Sequence, residues 1–161
     1  KLFLSDVDGT LTDGGMFYSE NGDELKKFNT RDAVGFAILR KIGIKDGVIT
    51  SENRELNKRR THKLKLDFCY QGTNRSKLDS AIEICKQLGI SLSEVAYIGD
   101  DINCIELLSN VCYAACPANA VNEVKAIPNI KIMPKNGGEG CVREWCDFIM
   151  GCSINKNVNN Q

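Results

Sequence analysis

The sequence predicts an α/β fold, namely a single Rossmann-like domain of three layers built around a parallel sheet. Short apolar runs, typical of buried parallel strands, alternate along the chain with segments of helical periodicity. Polar residues follow several of these runs directly, where ligands bind in open parallel sheets. With 161 residues, 42% of them hydrophobic, the chain is long enough for one well-packed domain and short for two.

A β-hairpin is predicted soon after the first strand. Asn21-Gly22 is a typical two-residue hairpin turn, and the short strand-like runs 14–18 and 25–28 flank it. The segment of about 14–28 is too small to be a cap domain, so we expect a flap or a subunit contact.

The other elements follow from apolar runs, helical spacing and the turn residues that end each segment. Strands are predicted at residues 2–5, 47–50, 66–70, 95–98, 111–115 and 130–133. Helices are predicted at residues 32–43, 52–65, 74–89 or 76–89, 103–109, 119–127 and 139–150. Asp32 is expected to cap the first helix. The folded domain is thus predicted to span 1–150, and the polar segment 151–161 to form a loose tail.

Composition narrows the possible partners. The 21 basic and 21 acidic residues cancel, so no overall field favours nucleic acid or an anionic membrane. No apolar run is long enough to span a bilayer. The eight cysteines include no C-x-x-C pair, and the single histidine argues further against a zinc site. We therefore expect reduced, mostly buried thiols in a cytoplasmic protein.

The strongest candidate site is the turn that follows the first strand. Asp6 and Asp8 are two residues apart, so their side chains point to the same side of an extended strand. Gly9 lets the backbone turn close to a ligand, and Thr10 adds a hydroxyl and a backbone N–H. Two carboxylates beside backbone donors can hold a divalent cation and a phosphate.

Further polar residues stand at the ends of the following strands. They are Thr50 and Ser51 after the second strand of the sheet, Lys77 at the start of the helix after the third, and Asp100 and Asp101 after the fourth. Because the carboxyl ends of parallel strands share one edge of a sheet, we expect these side chains to gather around the first turn.

In order and residue type, this set resembles the haloacid dehalogenase superfamily of phosphotransferases. The stretches 6–14, 28–32 and 137–144 look like its capless sugar-acid phosphatases, typified by 3-deoxy-D-manno-octulosonate 8-phosphate phosphatase. The resemblance covers about residues 1–150. It implies a homotetramer in which the flap of one subunit and the C-terminal tail of another help to close each site. The glycines of the last stretch would let that tail pass, or form only a loop before a helix.

The resemblance implies hydrolysis of a phosphate monoester through an aspartyl-phosphate. Asp6 would be the nucleophile, and Asp8 the general acid and then the general base. Asp6, Asp100 and the backbone carbonyl of Asp8 would hold Mg²⁺, which prefers hard oxygen ligands. Lys77 would offset the phosphoryl charge. Gly9, Thr10, Thr50 and Ser51 would hold the phosphoryl oxygens, while Asp101 and Asn103 would support the metal site from behind.

Two positions depart from the octulosonate enzymes. Those enzymes usually carry Thr-Gly-Arg where this chain has residues 50–53 as Thr-Ser-Glu-Asn. The latter looks closer to the nine-carbon branch, the 2-keto-3-deoxynononate and sialic acid 9-phosphate phosphatases, because Glu52 could receive sugar hydroxyls or an amine. Cys104 stands where the family often has an aspartate, which puts an outer hydrogen bond in doubt. A nine-carbon substrate is the first expectation, and the octulosonate 8-phosphate is the alternative.

The densest basic run, residues 58–65, is typical of a solvated helix face. Arg60 and Lys63 could instead reach the carboxylate of a keto-acid substrate, in their own or a neighbouring subunit's site. Arg75 competes with Lys77 for the role of the phosphoryl-binding cation.

Two interpretations from other classes stay open. One is a catalytically silent oligomerisation module, resembling the phosphatase-like modules of sialic acid cytidylyltransferases; the intact acids argue against it. The other is a receiver-like domain, in which the acceptor aspartate follows the third strand rather than the first. The expected partners are a phosphorylated sugar acid and further copies of the chain, with neither nucleic acid nor membrane.

Overall fold

The computed structural model describes the backbone of residues 1–22, 24–72 and 74–158, and the side chains of these residues as far as residue 151. Its strands are β1 (Leu2–Ser5), β2 (Phe17–Tyr18), β3 (Glu24–Leu25), β4 (Lys45–Thr50), β5 (Phe68–Gln71), β6 (Val95–Ile98), β7 (Tyr113–Cys116) and β8 (Lys131–Ile132). Its helices are α1 (Thr30–Lys41), α2 (Glu55–Leu64), α3 (Lys77–Leu88), α4 (Ile105–Leu108), α5 (Asn122–Lys125) and α6 (Cys141–Val158).

Six strands form one parallel sheet in the order β5-β4-β1-β6-β7-β8. The strand β1 lies in the middle, and Ser5 at its end stands opposite Val48 of β4 and Ile98 of β6. The amide of Asp6 continues this ladder by donating to the carbonyl of Ile98 at 2.9 Å. Residues that follow these three strands therefore share one edge of the sheet.

Helices cover both faces of the sheet, which confirms the predicted three-layer architecture. Successive residues of β1 point to opposite faces, so Leu4 packs in one hydrophobic cluster and Phe3 in the other. The first cluster includes buried residues of α3, α4 and α5, among them Ile84, Leu107 and Val124. The second includes Phe36 and Leu39 of α1 and Trp145 of α6.

The predicted hairpin is present and small. Phe17 of β2 pairs antiparallel with Leu25 of β3, and a bridge between Thr12 and Phe28 closes its base. Asp23 lies outside the described residues. Phe17, Tyr18 and Leu25 are 64%, 64% and 62% exposed. In the described part of the chain, no cap domain stands over the sheet.

The prediction that Asp32 caps α1 is wrong. The cap is Asn29, whose extended backbone and side-chain acceptor for the Arg31 amide start the helix earlier. Asp32 is fully buried in the first turn of α1 and accepts from the backbone N–H of Arg143 at 2.8 Å. It therefore caps the start of α6, where a carboxylate also meets the positive end of the helix dipole.

The ends of several helices and strands also differ from the sequence prediction. The helix α2 begins at Glu55 rather than at residue 52. The helix α6 runs to Val158, eight residues beyond the predicted end at residue 150, while 159–161 lie outside the described residues. No proline follows Met150 to stop the helix, and a lone glycine at 151 costs only about 1 kcal/mol.

The structure also bears on the expected absence of membrane spans and on the state of the cysteines. Within the described ranges, no helix combines the length and apolarity that crossing a bilayer requires. The seven cysteines with described side chains are all free thiols, and five of them are buried. Reduced thiols are thus confirmed for these seven, while the cytoplasmic location stays a prediction.

Burial gives Asp32 a pH-dependent role in stability. Its second carboxylate oxygen is buried with no hydrogen-bond partner. Burial raises the pKa of Asp32 from 3.8 to about 6, although the Arg143 amide and the Arg60 charge oppose it. The folded state then binds this proton more tightly than the unfolded state. The contribution of Asp32 to stability is greatest below pH 4 and falls as the pH rises through about 6.

Replacement of Asp32 by Asn should abolish this pH dependence, because the amide mimics the protonated acid. The unfolding free energy of Asp32→Asn minus that of the wild type should rise between pH 4 and pH 8, by on the order of 3 kcal/mol. Urea unfolding across this pH range measures the difference. Parallel stability curves for the two proteins would contradict the expectation.

Candidate active site

The strand ends meet in a cavity of about 260 Å³ at the carboxyl edge of the sheet. The structure brings together there most of the residues that the sequence singled out. The cavity is lined by Asp6, Asp8, Gly9, Gly14, Met16, Thr50, Ser51, Glu52, Asp100, Asp101 and Asn103. A second cavity of about 390 Å³ lies beside it, shares Thr50, Ser51 and Asn103, and is also lined by Lys77.

Asp6 lies at the centre of the site and is almost completely buried. One carboxylate oxygen, Oδ1, accepts from the backbone N–H of Val7 at 2.7 Å. The other, Oδ2, accepts from the Lys77 ammonium at 2.5 Å. These donors fix the orientation of the carboxylate.

Lys77 is the first residue of α3, which the Ser76 side chain caps by accepting from the Asp79 amide. The side chains of Lys77 and Asp6 are each only 6% exposed. Burial alone would lower the pKa of Lys77, but the adjacent Asp6 carboxylate outweighs it and raises that pKa above its usual value. The lysine therefore brings a permanent positive charge to the Asp6 carboxylate.

Cys104 contacts Asp6 directly instead of standing behind the site. Its Sγ lies 3.1 Å from Asp6 Oδ2 and 3.2 Å from Lys77 Nζ. The buried Tyr97 hydroxyl donates to the same sulfur at 3.3 Å. Burial, together with the Asp6 charge, raises the pKa of Cys104 to about 12, so the thiol is neutral at pH 7 and can donate to the carboxylate.

Asp100 stands beside Asp6 as the sequence predicted. Oxygens of these two carboxylates and the Cys104 sulfur all lie within 4.8 Å of one another. The Thr10 hydroxyl donates to Asp100 Oδ1 at 3.0 Å. Burial, and then the charge of Asp6, raises the pKa of Asp100 to about 7. Two facing, partly desolvated carboxylates suit a divalent cation with hard oxygen ligands such as Mg²⁺.

The turn after β1 leaves no room for a side chain at Gly9, and the loop that packs against it leaves none at Gly137. Gly9 has a φ of +77°, and a Cβ there would stand 1.9 Å from Asp100 Oδ2. A Cβ on Gly137 would stand 1.8 Å from the carbonyl oxygen of Gly9. The next amide, that of Gly138, donates to the Thr10 carbonyl at 3.1 Å. The late glycines thus support the turn of their own chain from behind.

Asp8 is held by a residue that the sequence analysis did not single out. Lys26, just after β3 of the hairpin, donates to Asp8 Oδ1 at 2.7 Å and to Glu52 Oε2 at 2.6 Å. Its side chain has no exposed surface. Burial raises the pKa of Asp8, and the hydrogen bond from Lys26 opposes that rise. Alternation beyond β3, with Leu25 outward and Lys26 inward, was the signal that could have found it.

The predicted phosphate-binding hydroxyls line the same cavity. Thr50 is buried, and its Oγ1 accepts from the Glu52 amide at 3.3 Å, which leaves the hydroxyl proton for another acceptor. Ser51 Oγ accepts from the Asn103 side chain at 3.1 Å. Asp101 is exposed and accepts from the Ile102 amide at 2.7 Å, so it caps a 3₁₀ turn.

The basic residues of α2 lie outside the cavity. Arg60 stacks 4.9 Å from the Phe28 ring centroid and donates to the Asn29 carbonyl at 3.1 Å, which anchors the base of the hairpin. Lys63 is exposed on the same helix. Arg75 pairs with Glu83 at the surface, so Lys77 rather than Arg75 reaches Asp6. Within its own chain, neither Arg60 nor Lys63 reaches the candidate site.

The chain is similar to a family of hydrolases and to several enzymes of known activity. The family model described as haloacid dehalogenase-like hydrolase matches residues 43–143. The 3-deoxy-D-manno-octulosonate 8-phosphate phosphatase of Escherichia coli K12 is 33% identical over 151 residues, covering 93% of this chain and 79% of that protein. The enzyme of the same name from Salmonella typhimurium matches with the same identity and coverage.

Solved structures give the same result. The 3-deoxy-D-manno-octulosonate 8-phosphate phosphatase of Moraxella catarrhalis, solved with a magnesium ion, a phosphate ion and KDO, is 35% identical with a TM-score of 0.89. That match covers 94% of this chain and 86% of the other. A cobalt-bound enzyme from Haemophilus influenzae is 30% identical with a TM-score of 0.87, covering 94% and 87%.

Replacement of Gly137 by Ala should distort the turn, because the new methyl group would overlap the Gly9 carbonyl. We expect a loss of unfolding free energy of about 1–3 kcal/mol, since backbone cannot yield as a side chain can. Phosphate-release activity should fall with it. Urea unfolding and a phosphate-release assay measure the two effects.

The matched control is Gly151→Ala in α6, where a Cβ would meet nothing within 4 Å. This variant should keep both the activity and the stability of the wild type, or gain a little stability. Equal behaviour of the two variants would contradict the supporting role assigned to Gly137.

Proposed function

Because this chain belongs to the haloacid dehalogenase-like hydrolases, we propose that it is a Mg²⁺-dependent phosphatase of 3-deoxy-D-manno-octulosonate 8-phosphate. It is a phosphoric monoester hydrolase of the sugar-acid phosphatase type. The observation that carries the chemistry is the buried Asp6 carboxylate, held by Lys77 and facing Asp100 at the end of the central strand.

The proposed reaction uses Asp6 as nucleophile and Asp8 as proton carrier. Asp6 attacks phosphorus, the bond to the ester oxygen breaks, and Asp8 gives that oxygen its proton. Asp8 then takes a proton from the water that hydrolyses the aspartyl-phosphate. The ammonium of Lys77 offsets the negative charge of the phosphoryl group, and the Thr50 hydroxyl donates to one of its oxygens.

Asp6, Asp100 and the backbone carbonyl of Asp8 would hold the Mg²⁺, and the donor chemistry fits. The two carboxylates face each other within 4.8 Å, and one of them has its pKa raised to about 7. When bound, the cation supplies positive charge that neutralises the phosphoryl oxygens. Support also comes from the Moraxella catarrhalis relative, solved with a magnesium ion.

The expected preference for a nine-carbon substrate is not supported, and the octulosonate alternative is the better supported one. The two relatives named above are 3-deoxy-D-manno-octulosonate 8-phosphate phosphatases, and each match covers 93% of this chain. The preference rested on Glu52, and Lys26 already engages one oxygen of that carboxylate at 2.6 Å. The silent-module alternative has no such support, because Asp6, Lys77 and Asp100 are assembled.

The proposal of a homotetramer rests on the hairpin. Its three large apolar side chains, Phe17, Tyr18 and Leu25, are each more than 60% exposed, which is typical of a surface that another chain covers. In such an assembly, Arg60 and Lys63 are proposed to act at a neighbouring subunit's site.

Asp6→Asn should abolish turnover of the octulosonate 8-phosphate in the presence of Mg²⁺, because the amide cannot form the aspartyl-phosphate. Steady-state phosphate release from eight- and nine-carbon sugar-acid phosphates measures both activity and preference. We expect a higher kcat/KM for the eight-carbon ester. Equal, feeble turnover of both esters, or full activity of the variant, would overturn the proposal.

Replacing both Phe17 and Leu25 by Ser should weaken self-association, because it removes the exposed apolar pair of the hairpin. Sedimentation velocity should show a tetramer for the wild type and smaller species for the double variant. Glu20→Ser, an exposed polar position of the same hairpin, is the control and should remain tetrameric. A monomeric wild type would rule out this part of the proposal.

A further inference from the structure

Lys26 is a flap residue whose side chain is buried in the site. Its neighbour Leu25 and the cross-strand Phe17 are more than 60% exposed, whereas the Lys26 side chain has no exposed surface. Burial of a lysine ammonium loses much hydration free energy unless the ammonium is paired with an anion. Here the ammonium is paired twice, with Asp8 Oδ1 at 2.7 Å and Glu52 Oε2 at 2.6 Å.

These pairs join three separate parts of the fold through one nitrogen. Lys26 belongs to the hairpin, Asp8 to the turn after β1, and Glu52 to the loop after β4. A third carboxylate, that of Glu24, lies 3.8 Å from the same nitrogen and is paired with Arg54 at 3.2 Å. Among the described residues, Lys26 is the only cation within ion-pair distance of Asp8.

The contact distinguishes the two oxygens of Asp8. Oδ1 accepts from Lys26, whereas Oδ2 is buried and has no hydrogen-bond partner. An ammonium can only donate, so the oxygen it contacts cannot carry a proton that points toward it. A proton on Asp8 is therefore favoured on Oδ2, the oxygen that no donor contacts.

We propose that Lys26 is a positioning residue for proton transfer, which holds Asp8 through Oδ1 and leaves Oδ2 as the oxygen that exchanges the proton with the leaving group. The inference rests on the proposed phosphatase chemistry. As the phosphorus–oxygen bond breaks, the proton on Oδ2 passes to the ester oxygen and Asp8 becomes a carboxylate. The adjacent ammonium stabilises that new negative charge, and the same carboxylate then accepts the proton of the attacking water.

Leaving-group dependence tests this role, because only a poor leaving group needs the proton. Lys26→Met removes the ammonium and keeps most of the apolar stem. Its kcat/KM should fall about 10- to 100-fold for the sugar-acid phosphate, an ester of a primary alcohol, as part of the general-acid contribution. For p-nitrophenyl phosphate, whose phenol leaves without a proton, the loss should stay below about 3-fold. Lys26→Arg should recover part of the activity.

Three comparisons make the result decisive. Lys27→Met removes the neighbouring flap lysine, which pairs with Asp13 outside the cavity, and should change neither rate. Glu52→Gln keeps the contact between Lys26 and Asp8, so it should not reproduce the selective loss. Retained turnover of p-nitrophenyl phosphate also shows that Lys26→Met is folded. An equal loss for both esters, no loss, or the same selectivity in Glu52→Gln would overturn the inference.

Failure of this inference is distinguishable from failure of the proposed substrate. If the wild type does not hydrolyse keto-deoxy sugar-acid phosphates, the substrate proposal fails. The leaving-group comparison is then run with an alkyl phosphate that the wild type accepts. If the wild type is active and Lys26→Met behaves as Lys27→Met does, only the role of Lys26 is overturned.

Discussion

The site depends on the buried ion pair between Asp6 and Lys77. Both side chains are only 6% exposed, so each charge has lost most of its water, and the loss is tolerable only because the two groups meet at 2.5 Å. The pair connects the end of the central strand with the first turn of α3. It holds the carboxylate in one orientation, which the proposed in-line attack on phosphorus requires. Removal of either partner would leave the other charged, buried and unmatched.

Around this pair, negative charge is concentrated, although the molecule as a whole is neutral. The chain has a net charge of zero, yet the carboxylates of Asp6, Asp8, Glu52 and Asp100 line one cavity. Lys77 pairs with Asp6, and Lys26 pairs with both Asp8 and Glu52. Asp100 accepts a hydrogen bond from the Thr10 hydroxyl, and its pKa is raised to about 7. The imbalance lies at Asp6 and Asp100, the place where a divalent cation is proposed. Cys104 adds a neutral donor there and no further negative charge.

Backbone contact sets the precision of the site. Gly137 packs against the carbonyl of Gly9, and the amide of Gly138 holds the carbonyl of Thr10 at 3.1 Å. A loop late in the chain therefore supports the turn that follows β1 near the start of the chain. Asp32 extends the same connection, since it accepts from the Arg143 amide at the start of α6. Fold stability and site geometry thus share contacts between α1, α6 and the first turn.

Local pattern in the sequence was enough for the layers, most strand positions, the hairpin and the gathering of Asp6, Thr50 and Asp100, because parallel strands align their carboxyl ends. It could not decide side-chain partners that are distant along the chain. Lys26 meets Asp8 and Glu52, Asp32 caps α6 instead of α1, and Arg60 anchors Phe28 instead of lining the cavity. Periodicity and turn residues report on neighbours in sequence. Burial and pairing of charges depend on which elements the folded sheet brings together.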